Sequence, residues 1–161
     1  MVLHALYDPE AVRAAIAAGV GATATIVMGG RTDPALGGGP LRLTGRVAAI
    51  TDGRLVARGP MGGGLTFDYG PSVRFTVGGI EVILISNNGQ AKDLAQITSM
   101  GIDPRDFRTV CVKSMHHFRA AFEPIARKVV LVDSGALCSE RFSADLFPKV
   151  RRPIWPIDAL D

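Results

Sequence analysis

Residues that commonly bind metals or form disulfides are scarce in this sequence. Its 161 residues include only two cysteines and three histidines. Cys111 and Cys138 lie too far apart for a CxxC motif, and the chain has neither HExxH nor a paired-cysteine motif. Because a structural zinc ion usually takes four protein ligands, we expect no metal site within this chain.

Charge of one sign and aromatic side chains are also limited. Eighteen basic residues oppose 15 acidic ones, and aromatic residues make up 6% of the chain. The sole dense basic cluster is Lys149, Arg151 and Arg152, and no aromatic side chain interleaves with these arginines. Nucleic-acid-binding proteins usually carry a basic patch with aromatic platforms, so we expect no nucleic-acid partner.

Long hydrophobic runs are missing. The longest apolar stretches, such as residues 80–85, contain charges or stop far short of a membrane span. Met1 leads into a mixed segment without the basic start and long apolar block of a signal peptide. We therefore expect no membrane partner and a cytoplasmic location.

The first half of the chain predicts one helix and several antiparallel strands. Asp8, Pro9 and Glu10 favour a helix start by capping, ring geometry and charge, and Gly19 can end that helix. Asp52 with Gly53 is typical of a two-residue hairpin turn. Alternating or β-branched residues predict strands at 22–28, 41–49, 54–57, 73–77 and 80–85.

The second half predicts a strand–helix–strand unit. We expect a short helix over residues 92–100, a strand at 109–112, a helix that starts at Ser114, and a strand at 128–132. Pro124 should kink or end the second of these helices. The fold class is therefore α+β, with one domain over residues 1–161. Its mixed sheet has antiparallel hairpins in the N-terminal half and a βαβ-like unit in the C-terminal half.

The strongest candidate site is residues 113–119, which we call the 113–119 corner. It lies where a strand hands over to a helix, and helix N-termini present free amide donors to anions. Lys113, Ser114, His117 and Arg119 could bind a carboxylate or phosphate there. The alternative is a capped helix whose histidines are idle. His116 and His117 are adjacent and point about 100° apart on a helix, so the two together do not suit one metal ion.

A second candidate is the glycine loop at residues 29–34, which follows a strand. Arg31 and Asp33 could face a ligand, or the loop could be a plain connection. The loop is neither GxGxxG nor a Walker motif. A small metal-independent hydrolase using Ser114 and His117 also stays open, although Ser114 is outside any GxSxG motif and no orienting acid is evident.

Several short motifs, in order along nearly the whole chain, resemble the C-terminal domain of the MlrC-like (microcystin degradation protein) zinc metallopeptidases. The motifs are Asp8-Pro9-Glu10-Ala11-Val12, Ala17-Ala18-Gly19-Val20-Gly21-Ala22, Gly29-Gly30-Arg31-Thr32-Asp33-Pro34, Gly59-Pro60-Met61-Gly62-Gly63, Gly101-Ile102-Asp103-Pro104, Val112-Lys113-Ser114, His117-Phe118-Arg119-Ala120-Ala121-Phe122 and Arg151-Arg152-Pro153-Ile154-Trp155-Pro156.

The resemblance implies a role within a two-domain zinc metallopeptidase that degrades linearised microcystin and similar peptides. In that family the zinc ligands belong to an N-terminal domain, which we do not find in this chain, so no catalytic residue is assigned. The resemblance thus implies an accessory domain that shapes the interdomain cleft and is inactive alone. Its partners would be the N-terminal metallopeptidase domain, in the same protein or as a split partner, and a peptide substrate. A stand-alone binding module or a homo-oligomer is the alternative.

Overall fold

The computed structural model describes residues 1–32, 38–134 and 142–159. These residues form an α+β fold with few helices, as the sequence predicts. The strands are β1 (Val2–Tyr7), β2 (Thr23–Met28), β3 (Leu41–Thr51), β4 (Arg54–Val56), β5 (Thr66–Asp68), β6 (Ser72–Val77), β7 (Ile80–Ile85) and β8 (Val110–Val112). The helices are α1 (Pro9–Ala18), α2 (Ala95–Thr98) and α3 (Arg119–Phe122), with 3-10 turns at Pro104–Asp106 and Glu123–Ile125.

The main sheet is mixed and has six strands in the order β2-β3-β6-β7-β1-β8. From β2 to β7 every neighbouring pair is antiparallel, whereas β1 lies between β7 and β8 and is parallel to both. Strands β4 and β5 form a separate two-stranded sheet. The predicted mixed sheet with antiparallel hairpins in the first half is confirmed.

The sequence signals for α1 are confirmed by its hydrogen bonds. The Asp8 side chain accepts a hydrogen bond from the Ala11 amide, and Pro9 occupies the first turn. The helix ends at Gly19, whose φ of 86° favours glycine. Its buried face, with Ala11, Val12 and Ala15, packs on the β2-β3-β6-β7 side of the main sheet.

The other face of the main sheet carries a second core. Ile83, Ile85, Ile97 and Phe122 are among its buried members, so α2 and α3 cover the face opposite α1. Half-buried residues of β4 and β5 pack against the same core. The sheet thus lies between one regular helix and a layer of short helices and turns.

One strand was not predicted and one hairpin prediction was wrong. Strand β1 was not predicted, although it is central to the parallel part of the sheet. The turn at Asp52 and Gly53 does not return the chain onto β3, because β3 pairs with β6 and β4 pairs with β5. The part of β3 that precedes this turn pairs with β6, and the earlier part pairs with β2.

The βαβ-like unit exists, but it uses other residues than those predicted. The chain leaves β7, passes through α2 and the Pro104–Asp106 turn, and enters β8 on the far side of β1. Residues 128–132, where we expected the second strand, are not in a strand. Strand β8 therefore finds its parallel partner in β1 rather than in the segment that follows it.

The chain divides into two compact units, Met1–Val129 and Val130–Asp161. All helices and strands described above belong to the first unit. In the second unit, Phe142 and Phe147 stack, and Arg152 pairs with Asp158. A single domain over residues 1–161 stays a prediction. None of the helices in the described ranges is long and apolar enough to cross a membrane.

Candidate functional site

Both predicted sites lie at the edge of the sheet where the parallel strands end. Strands β1, β7 and β8 run in the same direction, so Asp8, Ser86 and Lys113 follow their carboxyl ends at one edge. Ligands of open α/β sheets bind outside the carboxyl ends of parallel strands. We call this the carboxyl edge.

Asp8 anchors the predicted glycine loop at residues 29–34, and it is buried with a relative exposure of 1%. One carboxylate oxygen accepts from the Ala11 amide at 2.9 Å. The other accepts from the Gly29 amide at 2.9 Å and from Arg31 Nε at 3.1 Å. Asp8 therefore caps α1 and fixes the start of the glycine loop that follows β2.

A bend in β3 allows this contact. The register of β3 with β6 shifts between Val47 and Ala49, and such bulges bend a strand. The earlier residues of β3 pair with β2, so the β2–β3 pair can leave the plane of the sheet. Met28 is consequently buried in the core that α1 covers, and Gly29 reaches Asp8.

Arg31 is held in place on three sides. Besides Asp8, it donates to the carbonyl of Val27 at 2.9 Å and lies 2.9 Å from Glu10 Oε2. Its side chain is 34% exposed and lines an open depression of about 400 Å³, together with Tyr7, Asp8, Pro9, Glu10, Arg13 and Thr32. The predicted partner Asp33 lies outside the described residues.

The 113–119 corner is a mixture of anchored backbone and exposed side chains. The Lys113 amide donates to the carbonyl of His4 at 3.0 Å, and its own carbonyl accepts from the Ala91 amide at 3.4 Å. The side chain of Lys113 is exposed. Arg119 pairs with Glu123 at 3.1 Å and lies over the Phe118 ring. The backbone of Lys113 is therefore fixed while its ammonium group faces outward.

The helix after the corner starts later than the sequence predicts. We expected Ser114 to cap it, but α3 spans only Arg119–Phe122, and no side chain caps it. Residues 115–118 form bends and a turn instead. A four-residue helix offers no extended row of free amides, so α3 does not supply the amide donors that we expected at a helix N-terminus.

Ser114 and His117 do not form a catalytic pair. Within the described part of the chain, the buried Ser114 hydroxyl has no hydrogen-bond partner, whereas His117 Nδ1 lies 2.7 Å from Gln90 Oε1. A nucleophilic serine needs a base within hydrogen-bond reach. The geometry therefore gives the metal-independent hydrolase hypothesis no support.

Asp93 is a buried residue that the sequence analysis missed. Its Oδ2 accepts from the Arg58 amide at 2.9 Å and the Gly59 amide at 2.6 Å, and its Oδ1 accepts from the Ala95 amide at 2.8 Å. Gln96 Oε1 accepts from the Asp93 amide at 2.9 Å. The Gln96 side chain reaches back as in a capping box, but the Asp93 carboxylate binds the Ala95 amide instead of the Gln96 amide. The spacing Asp93-Leu94-Ala95-Gln96 could have pointed to this arrangement.

A chain of hydrogen bonds connects this carboxylate to the corner. Gln96 Nε2 donates to the carbonyl of Gln90 at 3.0 Å, and the Tyr69 hydroxyl donates to the same carbonyl at 3.2 Å. Burial raises the pKa of Tyr69 above its ordinary value, so Tyr69 acts as a neutral donor. Since Gln90 also contacts His117, the second glycine loop, residues 59–64, and the 113–119 corner share one polar network.

The residues of the described ranges do not fit a zinc ion. They include no group of three or more His, Cys, Asp or Glu side chains that could hold a metal ion. His4 is buried alone, while His116 and His117 are exposed. Burial lowers the pKa of His4 to about 4, and no sequence signal points to this residue.

Two known proteins show similarity over nearly the whole chain. Microcystinase C from Sphingomonas sp. is 28% identical over 157 residues, which is 95% of this chain and 28% of that protein. A solved structure from Mesorhizobium sp. BNC1, provisionally described as a metallopeptidase, superposes with a TM-score of 0.74 at 24% identity. It covers 99% of this chain and 32% of that protein, and at this identity it shows the fold.

This chain therefore spans less than a third of the length of either protein that it matches. The sequence model of one family, described as MlrC C-terminus, matches residues 1–147. That match includes every described helix and strand and both predicted sites. The chain belongs to the MlrC C-terminal family.

Proposed function

We propose that this chain is the accessory C-terminal part of an MlrC-like zinc metallopeptidase. Its carboxyl edge would face the cleft toward the metallopeptidase domain and help bind the peptide substrate. The family match supports the partner domain, and clefts between domains are preferred ligand sites. The zinc ion and its ligands would belong to that other domain, because the described residues here do not fit a metal ion.

The position of Lys113 is the observation that supports substrate binding at the carboxyl edge. Its backbone is fixed between His4 and Ala91, while its side chain is exposed at the carboxyl edge. Among the ion pairs of the described residues, none involves Lys113. A positive charge on a fixed backbone without an internal partner suits a substrate carboxylate.

Arg31 has a different role in this proposal. Its guanidinium already contacts Asp8, Glu10 and the carbonyl of Val27, so its donors are largely used within the chain. It would shape the depression beside α1 and keep the first glycine loop in position. Substrate charge would then be recognised at Lys113 rather than at Arg31.

The test is peptide hydrolysis by the assembled enzyme, with the metallopeptidase domain present. We expect Lys113→Ala to weaken the apparent affinity for an acidic peptide roughly tenfold, since a hydrogen bond to a charged group contributes about 1.5–3 kcal/mol. The turnover number should change little. An amidated version of the same peptide should bind the variant and the unchanged enzyme equally well.

Arg46→Ala is the matched control. Arg46 is exposed on β3 and pairs across the sheet with Thr76 of β6. Thr76 pairs with Glu81, which pairs with Val2 at the amino end of β1, so Arg46 lies away from the carboxyl edge. This change removes the same charge and should leave affinity unaltered. Unchanged affinity and turnover in Lys113→Ala would lead us to abandon the proposal for this residue.

A further inference from the structure

A small, partly enclosed cavity lies beside His4 in the core that α2 and α3 cover. Its volume is about 10 Å³, and it is lined by His4, Thr51, Gly53, Leu55, Tyr69, Ser72, Ile83, Ile85, Gln96, Ser99 and Met100. A cavity needs roughly 10–15 Å³ of this volume to hold one water molecule. The cavity is therefore just large enough for a single water molecule and too small for a larger ligand.

The imidazole nitrogens of His4 need a hydrogen-bond partner such as this water. The residue is 1% exposed, and neither Nδ1 nor Nε2 has a hydrogen-bond partner among the residues that the structure describes. Burial lowers the pKa of His4 to about 4, so at neutral pH the ring has one N–H donor and one acceptor nitrogen. Buried polar atoms without partners are rare in native proteins because they cost free energy.

The walls provide partners for the same water. Ser72 Oγ donates to the carbonyl of Gly70 at 2.8 Å, which leaves its lone pairs available. Thr51 Oγ1 accepts from the Gly53 amide at 3.3 Å and lies 3.5 Å from the Met100 sulfur. Each hydroxyl can therefore accept a further hydrogen bond, and an internal water typically has two to four polar partners.

We propose that this cavity is the binding site of one internal water molecule, which joins the His4 imidazole to the Thr51 and Ser72 hydroxyls. The lining contains no carboxylate and no thiolate, so an uncharged ligand fits it better than a cation. The water links β1 to the ends of β3 and β6, next to the point where the His4 carbonyl holds Lys113.

The direct test is nuclear magnetic resonance of the full chain in water. A bound water with a long residence time gives cross-relaxation peaks between the His4 ring protons and the water resonance. We expect these peaks in the unchanged protein and their loss in Ser72→Ala. Ser86→Ala is the matched control, because Ser86 Oγ donates to the carbonyl of Pro71 at 2.7 Å and does not line the cavity; it should keep them.

A crystal structure that resolves ordered waters is the second measurement, and it needs no variant. Electron density for one water within hydrogen-bond distance of a His4 nitrogen supports the proposal. A cavity without density, together with missing cross-relaxation peaks, overturns it. Equal or higher stability of His4→Phe would also count against it, because a dry site gains from losing unsatisfied nitrogens.

Discussion

The charged groups at the two glycine loops are buried and hydrogen-bonded, whereas the charge of Lys113 in the 113–119 corner is exposed. Each loop begins at amides that bind a buried carboxylate, Asp8 for the first and Asp93 for the second. In the corner, Lys113 has a fixed backbone but an exposed ammonium group. Buried, fully bonded charges position the chain, whereas exposed charges without an internal partner remain free to bind something else.

The largest effect should come from breaking the second loop's anchor. Asp93→Ala leaves the amides of Arg58, Gly59 and Ala95 without their acceptor, so we expect a loss of about 3 kcal/mol in the free energy of unfolding. Urea denaturation measures it. Asp52→Ala is the control, since exposed Asp52 accepts only from the Arg54 amide, and its loss should stay below about 1 kcal/mol.

His4 should produce the next largest effect, through pH. The folded state lowers its pKa to about 4 from 6.5, so the unfolded chain binds the proton more readily. The free energy of unfolding is therefore highest above about pH 6.5 and falls as the pH drops toward 4. Between pH 7 and pH 5 we expect a loss of about 2 kcal/mol.

Denaturation of the His4→Phe variant at the same two pH values isolates this contribution. Glu81, whose pKa is lowered by its hydrogen bonds from Arg74, stays ionised over this range and changes little. Tyr69 stays neutral. An equally steep pH dependence in His4→Phe would show that His4 is not the cause.

A smaller effect is expected at the first loop. Arg31→Ala removes the ion pairs with Asp8 and Glu10 but leaves the Gly29 amide on Asp8. Because the Arg31 side chain is one-third exposed, solvent weakens these pairs, and we expect a loss of about 1 kcal/mol. Thermal unfolding measures it, and the loss should shrink in high salt.

Lys113→Ala should have the smallest effect on stability, within about 0.5 kcal/mol, because the ammonium group is exposed. The tenfold loss of substrate affinity in the assembled enzyme would then occur in a fully stable domain. This outcome would separate the corner from the loops most clearly. A destabilised Lys113→Ala variant would instead place Lys113 among the structural residues.

Local signals made much of the fold predictable. The start and end of α1 and the β6–β7 hairpin depend on neighbouring residues, namely Asp8, Pro9, Gly19 and Gly78. Strand β1 was missed because its position depends on β7 and β8, which are distant in sequence. Pairing of this kind produces no alternating hydrophobic pattern in a short segment that is mostly apolar.

The candidate site was predictable only in part. The sequence drew attention to Arg31 and Lys113, and the structure places both at the carboxyl edge. It did not reveal that Arg31 is bound internally, since Asp8 precedes α1 and meets Gly29 only because of the register shift in β3. The helix expected at Ser114 is shorter because residues 115–118 form bends and a turn, where His117 contacts Gln90.

The position of β1 also determines when this domain can finish folding. Val2 pairs with Glu81 on one side and Val110 on the other, so β1 must wait for a strand that is made more than 100 residues later. Contacts between residues this distant in sequence slow folding. Until β8 emerges from the ribosome, β1 has an open edge that could pair with another chain. Fast synthesis of this region would shorten that period and lower the risk of aggregation.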